Sequence, residues 1–495
     1  LPDRETTIAT PAGPVRTVFA PSPIGRPSLG LVRMAVFNWA LARHHHGRFV
    51  LRIEDTDAAR VRAQFYQPVL EVLRWLGLDW DEGPEAGGPH GPYLQTERRE
   101  LHLDVTRRLL GAGELYESFS TPEEVAERRT RAGQDPRLGY DNADRYLSER
   151  EKAAHRAAGR LPSLRLRMPA SETVFDDLVR GEVVFKAGAV ADPVLVRANG
   201  RPTFALAGPV DDVLMGITHN LRGDAMLPLM PCQLAAYRAL QRIGLTDAVP
   251  RIGHVPMVLA SNAKILNSQE DPAADTLRYR DAGFLPRTIV NYLAALGWSH
   301  PTQGQVFSPA ELVEHLDVRR IRTRPGRLDV QRLAELDTLH LRALTTEEFA
   351  EALVPQLPSH TRLTGDERAL LRRAAAVLRP RVKSLAEAAS VATTLLEADE
   401  PGPSRQITEA EFDALREAHH ALGDLPAWTA DALSALIKNG AEQLPKASVA
   451  ALRTVVTGPA AGRLLVDFLV LLGQRRSMRR IECALAQRSV PFPNG

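Results

Sequence analysis

The chain has 495 residues, 44% of them apolar and 25% charged, with a formal net charge of +2. That balance excludes a disordered or fibrous chain, and the length implies three or four compact units instead of one. Mild basicity suits a protein that touches one structured RNA through local patches and equally suits a metabolic enzyme, so charge does not choose between them.

Cys232 and Cys483 lie far apart with no ligand spacing around either. They argue against a disulfide scaffold or a cysteine-built zinc site and fit a reducing, cytoplasmic setting. Residues 1–14 are polar and rich in proline and threonine, so no signal peptide is expected. No run approaches about 18 uninterrupted apolar residues, and no membrane span is expected.

Residues 16–20 form a short apolar run that Pro21-Ser22-Pro23-Ile24-Gly25 breaks. A helical pattern follows over residues 30–46, and residues 49–53 give a second β-rich run. Strand, helix and strand in this order predict a parallel sheet. Ligands of such sheets bind beyond the carboxyl ends of the strands, where this loop and Glu54-Asp55-Thr56-Asp57 fall. His44-His45-His46 is read as the basic end of the helix, favourable against its dipole, with Gly47 as the stop. Capping boxes are predicted at Thr121 with Glu124, Ser308 with Glu311, Thr345 with Glu348 and Thr408 with Glu411. From Leu285 onward the pattern is almost wholly helical, with breaks near 355–365, 399–404 and 423–426. The expected architecture is an α/β half followed by an all-α arm.

Several phrases in this chain carry a family resemblance. They include Val18-Phe19-Ala20-Pro21-Ser22-Pro23-Ile24-Gly25, Leu51-Arg52-Ile53-Glu54-Asp55-Thr56-Asp57 and Gly91-Pro92-Tyr93-Leu94-Gln95-Thr96-Glu97-Arg98. Asp211-Asp212-Val213-Leu214-Met215-Gly216-Ile217-Thr218-His219 and Asn291-Tyr292-Leu293-Ala294-Ala295-Leu296-Gly297-Trp298-Ser299 continue the series. Over roughly residues 15–480 the chain resembles the glutamyl-tRNA synthetases. That resemblance implies a class I Rossmann-type catalytic domain over residues 15–108 and 206–255, interrupted by an α/β acceptor-stem-binding insertion over 109–205. It further implies an all-α stem-contact domain at 256–340 and a helical anticodon-binding arm at 341–495. Members join glutamate to its tRNA through an ATP-derived adenylate, with magnesium.

Adenylate formation requires stabilisation of charge on the α-phosphate and the leaving pyrophosphate. Where the family carries a histidine at the helix start, this chain has Ser28, with Gly30 retained and Pro23 and Gly25 in the preceding loop. Serine caps a helix but carries no charge. Where the family has a two-lysine loop, Lys264 remains and Ser268 or Gln269 stands at the second lysine. Two lost donors amount to about 5–8 kcal/mol if additive, and such groups seldom are.

The amino-acid pocket departs in the same way. Val18 stands at the family's side-chain-binding arginine, Phe204 and Gly208 at its tyrosine and asparagine, and Met226 at its terminal aromatic or histidine. Ser22, Glu54 and Arg222 are kept, and the resemblance gives Glu54 the substrate amino group. Ser118-Phe119-Ser120 occupies the place of a Cys-x-Cys pair through which some members bind zinc, so no zinc is expected. Basic helix faces of the arm, such as Arg319, Arg320, Arg322, Arg324 and Arg327, are expected to meet tRNA phosphates.

The resulting expectation is a monomeric relative that binds tRNA(Glu), with glutamate activation impaired or absent. The retained contacts suit glutamate or another α-amino acid. Two alternatives stay open: an active, diverged glutamate–tRNA ligase and a repurposed aminoacyl-tRNA-dependent transferase.

Overall fold

The computed structural model describes residues 13–57, 61–266, 271–302, 304–358, 363–396, 408–438, 444–457 and 464–486. Ser268 and its neighbours Asn267, Gln269 and Glu270 lie outside these, as does the expected break at 399–404.

The chain divides into two compact units, one holding residues 1–280 and 289–330, the other residues 281–288 and 331–495. Length alone suggested three or four.

The first unit opens with β1 (Arg16–Phe19), α1 (Leu29–His44) and β2 (Arg48–Leu51), after which comes α2 (Tyr66–Leu76). Strands β1 and β2 pair in parallel, Val18 opposite Val50, as the strand–helix–strand order requires. Helix α1 stops three residues before Gly47: His45 caps it, and His46 adopts the left-handed conformation at φ 50°. Gly47 is needed for a different reason, because a side chain there would collide with the Val15 carbonyl.

The chain then runs through α3 (Arg99–Gly111), β3 (Leu115–Ser118), α4 (Pro122–Arg131) and α5 (Glu149–Ala157). Next come β4 (Ser163–Leu166), β5 (Thr173–Asp177), β6 (Gly181–Phe185) and β7 (Val194–Val196). Strands β3, β4 and β7 form an antiparallel sheet, and β5–β6 a hairpin. The chain returns with α6 (Phe204–Leu214), β8 (His219–Gly223), α7 (Met230–Arg242) and β9 (Arg251–Val255). Leu115, Leu166 and Leu195 of the antiparallel sheet share one apolar cluster with Leu206, Ala235 and Leu240 of α6 and α7. This shared core merges the insertion with the parallel sheet into one unit.

The parallel sheet has the order β2-β1-β8-β9. The chain extends it first to one side of β1 and much later to the other, so the switch in direction falls between β1 and β8. A crevice opens at such a point beyond the strand ends, because the connections leave in opposite directions. Asn38 of α1 ties to both strands: its side chain donates to the Leu221 carbonyl at 2.6 Å and accepts from Leu221 N–H at 3.0 Å, and its own carbonyl accepts from the Thr17 hydroxyl of β1 at 2.8 Å.

All four expected capping boxes are present, and two more occur at Ser148 with Glu151 and Thr364 with Glu367. The second unit is helical throughout its described residues, around a core that includes Phe349, Leu378, Leu385, Leu415, Phe468 and Leu469. The 22-residue helix Leu465–Ala486 kinks at Gly473, whose φ is 74°.

The five arginines expected on a helix face of the arm lie elsewhere. They belong to the first unit, where Arg319 and Arg320 sit in a single 3-10 turn capped by Asp317. Arg322 and Arg324 follow in a loop, and Arg327 lies on the two-residue strand Gly326–Arg327. Pro325-Gly326 prevents a helix from running through this stretch. All five side chains are exposed.

Candidate active site

The crevice between β1 and β8 is a cavity of about 680 Å³. Of the residues singled out in the sequence, Val18, Ser22, Gly25, Ser28, Glu54, Phe204, Gly208, Arg222 and Met226 all line it. Pro23 is buried in the adjoining loop and Gly30 lies in the first turn of α1. Lys264 is exposed at a tight turn just after the Val258–Leu259 strand, next to Ala263 at φ 64°. Neither Pro23 nor Gly30 nor Lys264 is among the residues lining the cavity.

Each wall follows from the period of its element. Val18 and Ala20 share one face of β1 and its continuation, as Asn220 and Arg222 do on β8. Phe204, Gly208 and Asp212 recur every four residues and form one stripe of α6, and Gln233 and Tyr237 do the same on α7. Ser28 and Leu31 bring the start of α1 to the cavity wall, and helix N-termini favour anions. Ser28 caps that helix, accepting from Leu31 N–H at 3.2 Å. Ser28→Ala is expected to lower stability by about 1 kcal/mol, read as a lower thermal unfolding midpoint.

Beneath the cavity runs a buried charge network that sequence reading left without a role. Arg52, 1% exposed, donates to Asp212 at 2.7 Å and to Glu54 at 3.1 Å. Tyr237 donates its hydroxyl to the other Asp212 oxygen at 2.7 Å, and Asn220 reaches it at 3.3 Å. Asp211 faces the opposite way and pairs with Arg98 at 2.6 Å, His102 at 2.8 Å and Gln95 at 2.9 Å. The two adjacent aspartates therefore sit within α6 and brace two different walls. An arginine inside an apolar strand run and a Gln/Tyr pair four apart on a helix were the available signals.

Burial raises the Glu54 carboxyl to about 7, with Asp212 and Asp211 adding to the rise and Arg52 opposing it. Arg52 is buried too, but Asp212 and Glu54 outweigh that cost and hold it firmly charged. Arg222 differs. Burial lowers its pKa, its Nη2 meets only the Met230 sulfur at 2.8 Å, and its buried Nε has no hydrogen-bond partner.

The cavity at the switch point thus has the start of α1 beside it, with the carboxylates of Glu54, Asp57 and Asp212 and the uncommitted Arg222 guanidinium on its wall. Residues 14–335 match the class I tRNA synthetase (E and Q) catalytic domain, and residues 348–485 match an anticodon binding domain. The chain belongs to the class I tRNA synthetases of the glutamate and glutamine type.

It is 47% identical to the glutamate–tRNA ligase of Saccharopolyspora erythraea over 484 residues, 95% of this chain and 96% of that one. It is 45% identical to that of Mycobacteroides abscessus, over 95% of this chain and 96% of that one. A crystal structure of a glutamate–tRNA ligase from Elizabethkingia meningosepticum in complex with its amino acid shares the fold. Its TM-score is 0.75 at 24% identity, covering 96% of this chain and 99% of that one. At the positions where some family members carry zinc-binding cysteines, Ser118 and Ser120 donate to Asp144 at 2.8 and 2.7 Å. Among the described residues no group of three or more His, Cys, Asp or Glu could hold a metal ion, and no helix is long and apolar enough to cross a membrane.

Proposed function

We propose that the protein is a working ATP-dependent tRNA ligase of the glutamate–tRNA ligase type, which activates an α-amino acid in the β1/β8 cavity and transfers it to tRNA(Glu). The observation that carries this reading is the open cavity holding Glu54 and Arg222 at opposite charge beside the α1 N-terminus. Full-length likeness to glutamate–tRNA ligases supports it over a tRNA-binding relative that has lost the chemistry.

In the first step an α-carboxylate oxygen attacks the α-phosphorus of ATP and pyrophosphate leaves. In the second, a terminal tRNA hydroxyl attacks the acyl carbon and AMP leaves. Glu54 holds the substrate ammonium, Arg222 matches its α-carboxylate, and the α1 N-terminus with Lys264 meets phosphate charge. With Asp57 on the cavity wall and no protein cage among the described residues, magnesium fits as an ion carried by the nucleotide phosphates. The reading also takes residues 109–205 as the acceptor-stem-binding part, 256–340 as the stem-contact part and 341–495 as the anticodon arm. Arg319, Arg320, Arg322, Arg324 and Arg327 serve as phosphate contacts and make binding weaker at higher salt. The two free cysteines suit a reducing, cytoplasmic setting.

Glu54 supplies a pH dependence. An acid with its pKa raised to about 7 is mostly protonated one unit below and mostly ionised one unit above. The ammonium of an amino acid is matched only by the ionised form. KM for the amino acid is therefore expected to fall about tenfold from about pH 6 to about pH 8, and Glu54→Gln should raise KM and flatten that profile.

The deciding experiment is amino-acid-dependent pyrophosphate–ATP exchange with tRNA present. Exchange supports the ligase. No exchange with any amino acid, alongside selective retention of tRNA(Glu) on filters, would instead establish the tRNA-binding reading that the replacements at Val18 and Ser28 favour.

A further inference from the structure

The charges around the inner cavity can be counted. Arg26, Arg52 and Arg222 line it with Glu54, Asp57 and Asp212, three of each sign, and Arg52 is already committed to Glu54 and Asp212. At the rim, Arg26 is paired with Asp275 at 2.5 Å. Arg222 is left as the inner cation without a carboxylate in contact. An α-amino acid brings one ammonium and one carboxylate and keeps this count balanced. A second carboxylate on the side chain would have no counter-charge, and desolvating an unpaired carboxylate against an apolar wall is disfavoured.

The rest of the wall is hydrocarbon. Val18 is 1% exposed and packs with Val50, Tyr93, Met215 and Ile217. The Phe204 ring lies over Gly208, 3.5 Å from where a side chain at 208 would begin, so this stripe of α6 offers an aromatic surface and no donor.

We propose that the cavity selects an α-amino acid with an uncharged, apolar side chain and discriminates against glutamate. This rests on the ligase reading for its catalytic consequence, but the selectivity of the cavity is open to a separate measurement. Glu54 and Arg222 hold the groups common to all amino acids, while Val18, Phe204 and Gly208 meet what distinguishes one from another.

Two measurements on the full-length protein test it. The first is pyrophosphate exchange with tRNA present, using leucine, methionine, phenylalanine, glutamine and glutamate. A kcat/KM for one of the first three at least ~100-fold above glutamate is expected, since an unmatched charge discriminates more strongly than a methylene. The second is calorimetric binding of non-hydrolysable aminoacyl-sulfamoyl adenosines carrying methionine or glutamate, which needs no turnover.

Exchange driven best by glutamate or glutamine overturns the selectivity and leaves the ligase reading intact. Tighter binding of the methionyl analogue without exchange by any amino acid upholds the selectivity and removes the ligase. Tighter binding of the glutamyl analogue overturns the selectivity whatever the exchange result.

Discussion

Arg222→Met is expected to lower amino-acid activation ~100- to 1,000-fold while leaving the unfolding midpoint unchanged or raised. The two halves of this result come from one fact: the Arg222 guanidinium lies in the cavity with its Nε unpartnered and a sulfur as its nearest polar neighbour. Burial lowers its pKa, so the folded protein bears a desolvation cost for a charge that no internal carboxylate directly repays. On the ligase reading, Arg222 is held at that cost for the substrate carboxylate. Methionine fills a similar volume without the charge, so stability is spared and the contact to a substrate carboxylate is lost. Exchange kinetics and a thermal melt on the same preparation check both halves. A lower midpoint with activation retained would show that Arg222 is structural.

Asp212→Asn is expected to act in the opposite sense, costing the first unit about 3–5 kcal/mol. Its carboxylate, 2% exposed, takes hydrogen bonds from Arg52, Tyr237 and Asn220 together. Neutralising it leaves Arg52 with Glu54 as its one remaining carboxylate contact. Hydrogen exchange is expected to speed up in β8, α6 and α7, whose residues this network joins. The same change has a chemical signature. Asp212 is one of the charges that raise Glu54, so without it the Glu54 carboxyl titrates lower and the pH midpoint of KM moves below 7. A variant that unfolds more easily but keeps its pH profile would separate Asp212 from the amino-acid site.

Much of the frame was legible because its signals are local. The strand–helix–strand opening is a matter of period and of Pro21 to Gly25, within about three dozen residues. Thr121, Ser308, Thr345 and Thr408 could be recognised as caps because a capping box spans four residues. Recognition of the helix start led to Ser28, whose capping bond needs nothing beyond its own turn. Where the reading failed, the cause was also physical. The five arginines between 319 and 327 looked like a helix face until Pro325-Gly326 and the packing of the chain after Ile289 placed them in the first unit. Gly47 looked like a helix stop, yet His46 takes the left-handed turn and the glycine serves the close approach of Val15.

The cavity's charges divide in the same manner. Sequence alone identified Val18, Phe204, Gly208 and Met226 as departures and Glu54 and Arg222 as survivors, because those positions lie within recognisable phrases or a few residues from one. It also suggested that such losses would silence the chemistry. Only the tertiary structure decided how the survivors are used. Arg52 is spent on Asp212, 160 residues away, and Asp211 and Asp212 brace separate walls. Arg222 is left unpaired, and the cavity stays open beside a helix N-terminus. A cap or a strand period is complete within a few consecutive residues. The charge balance of a site is a sum over groups that only folding brings within reach of one another.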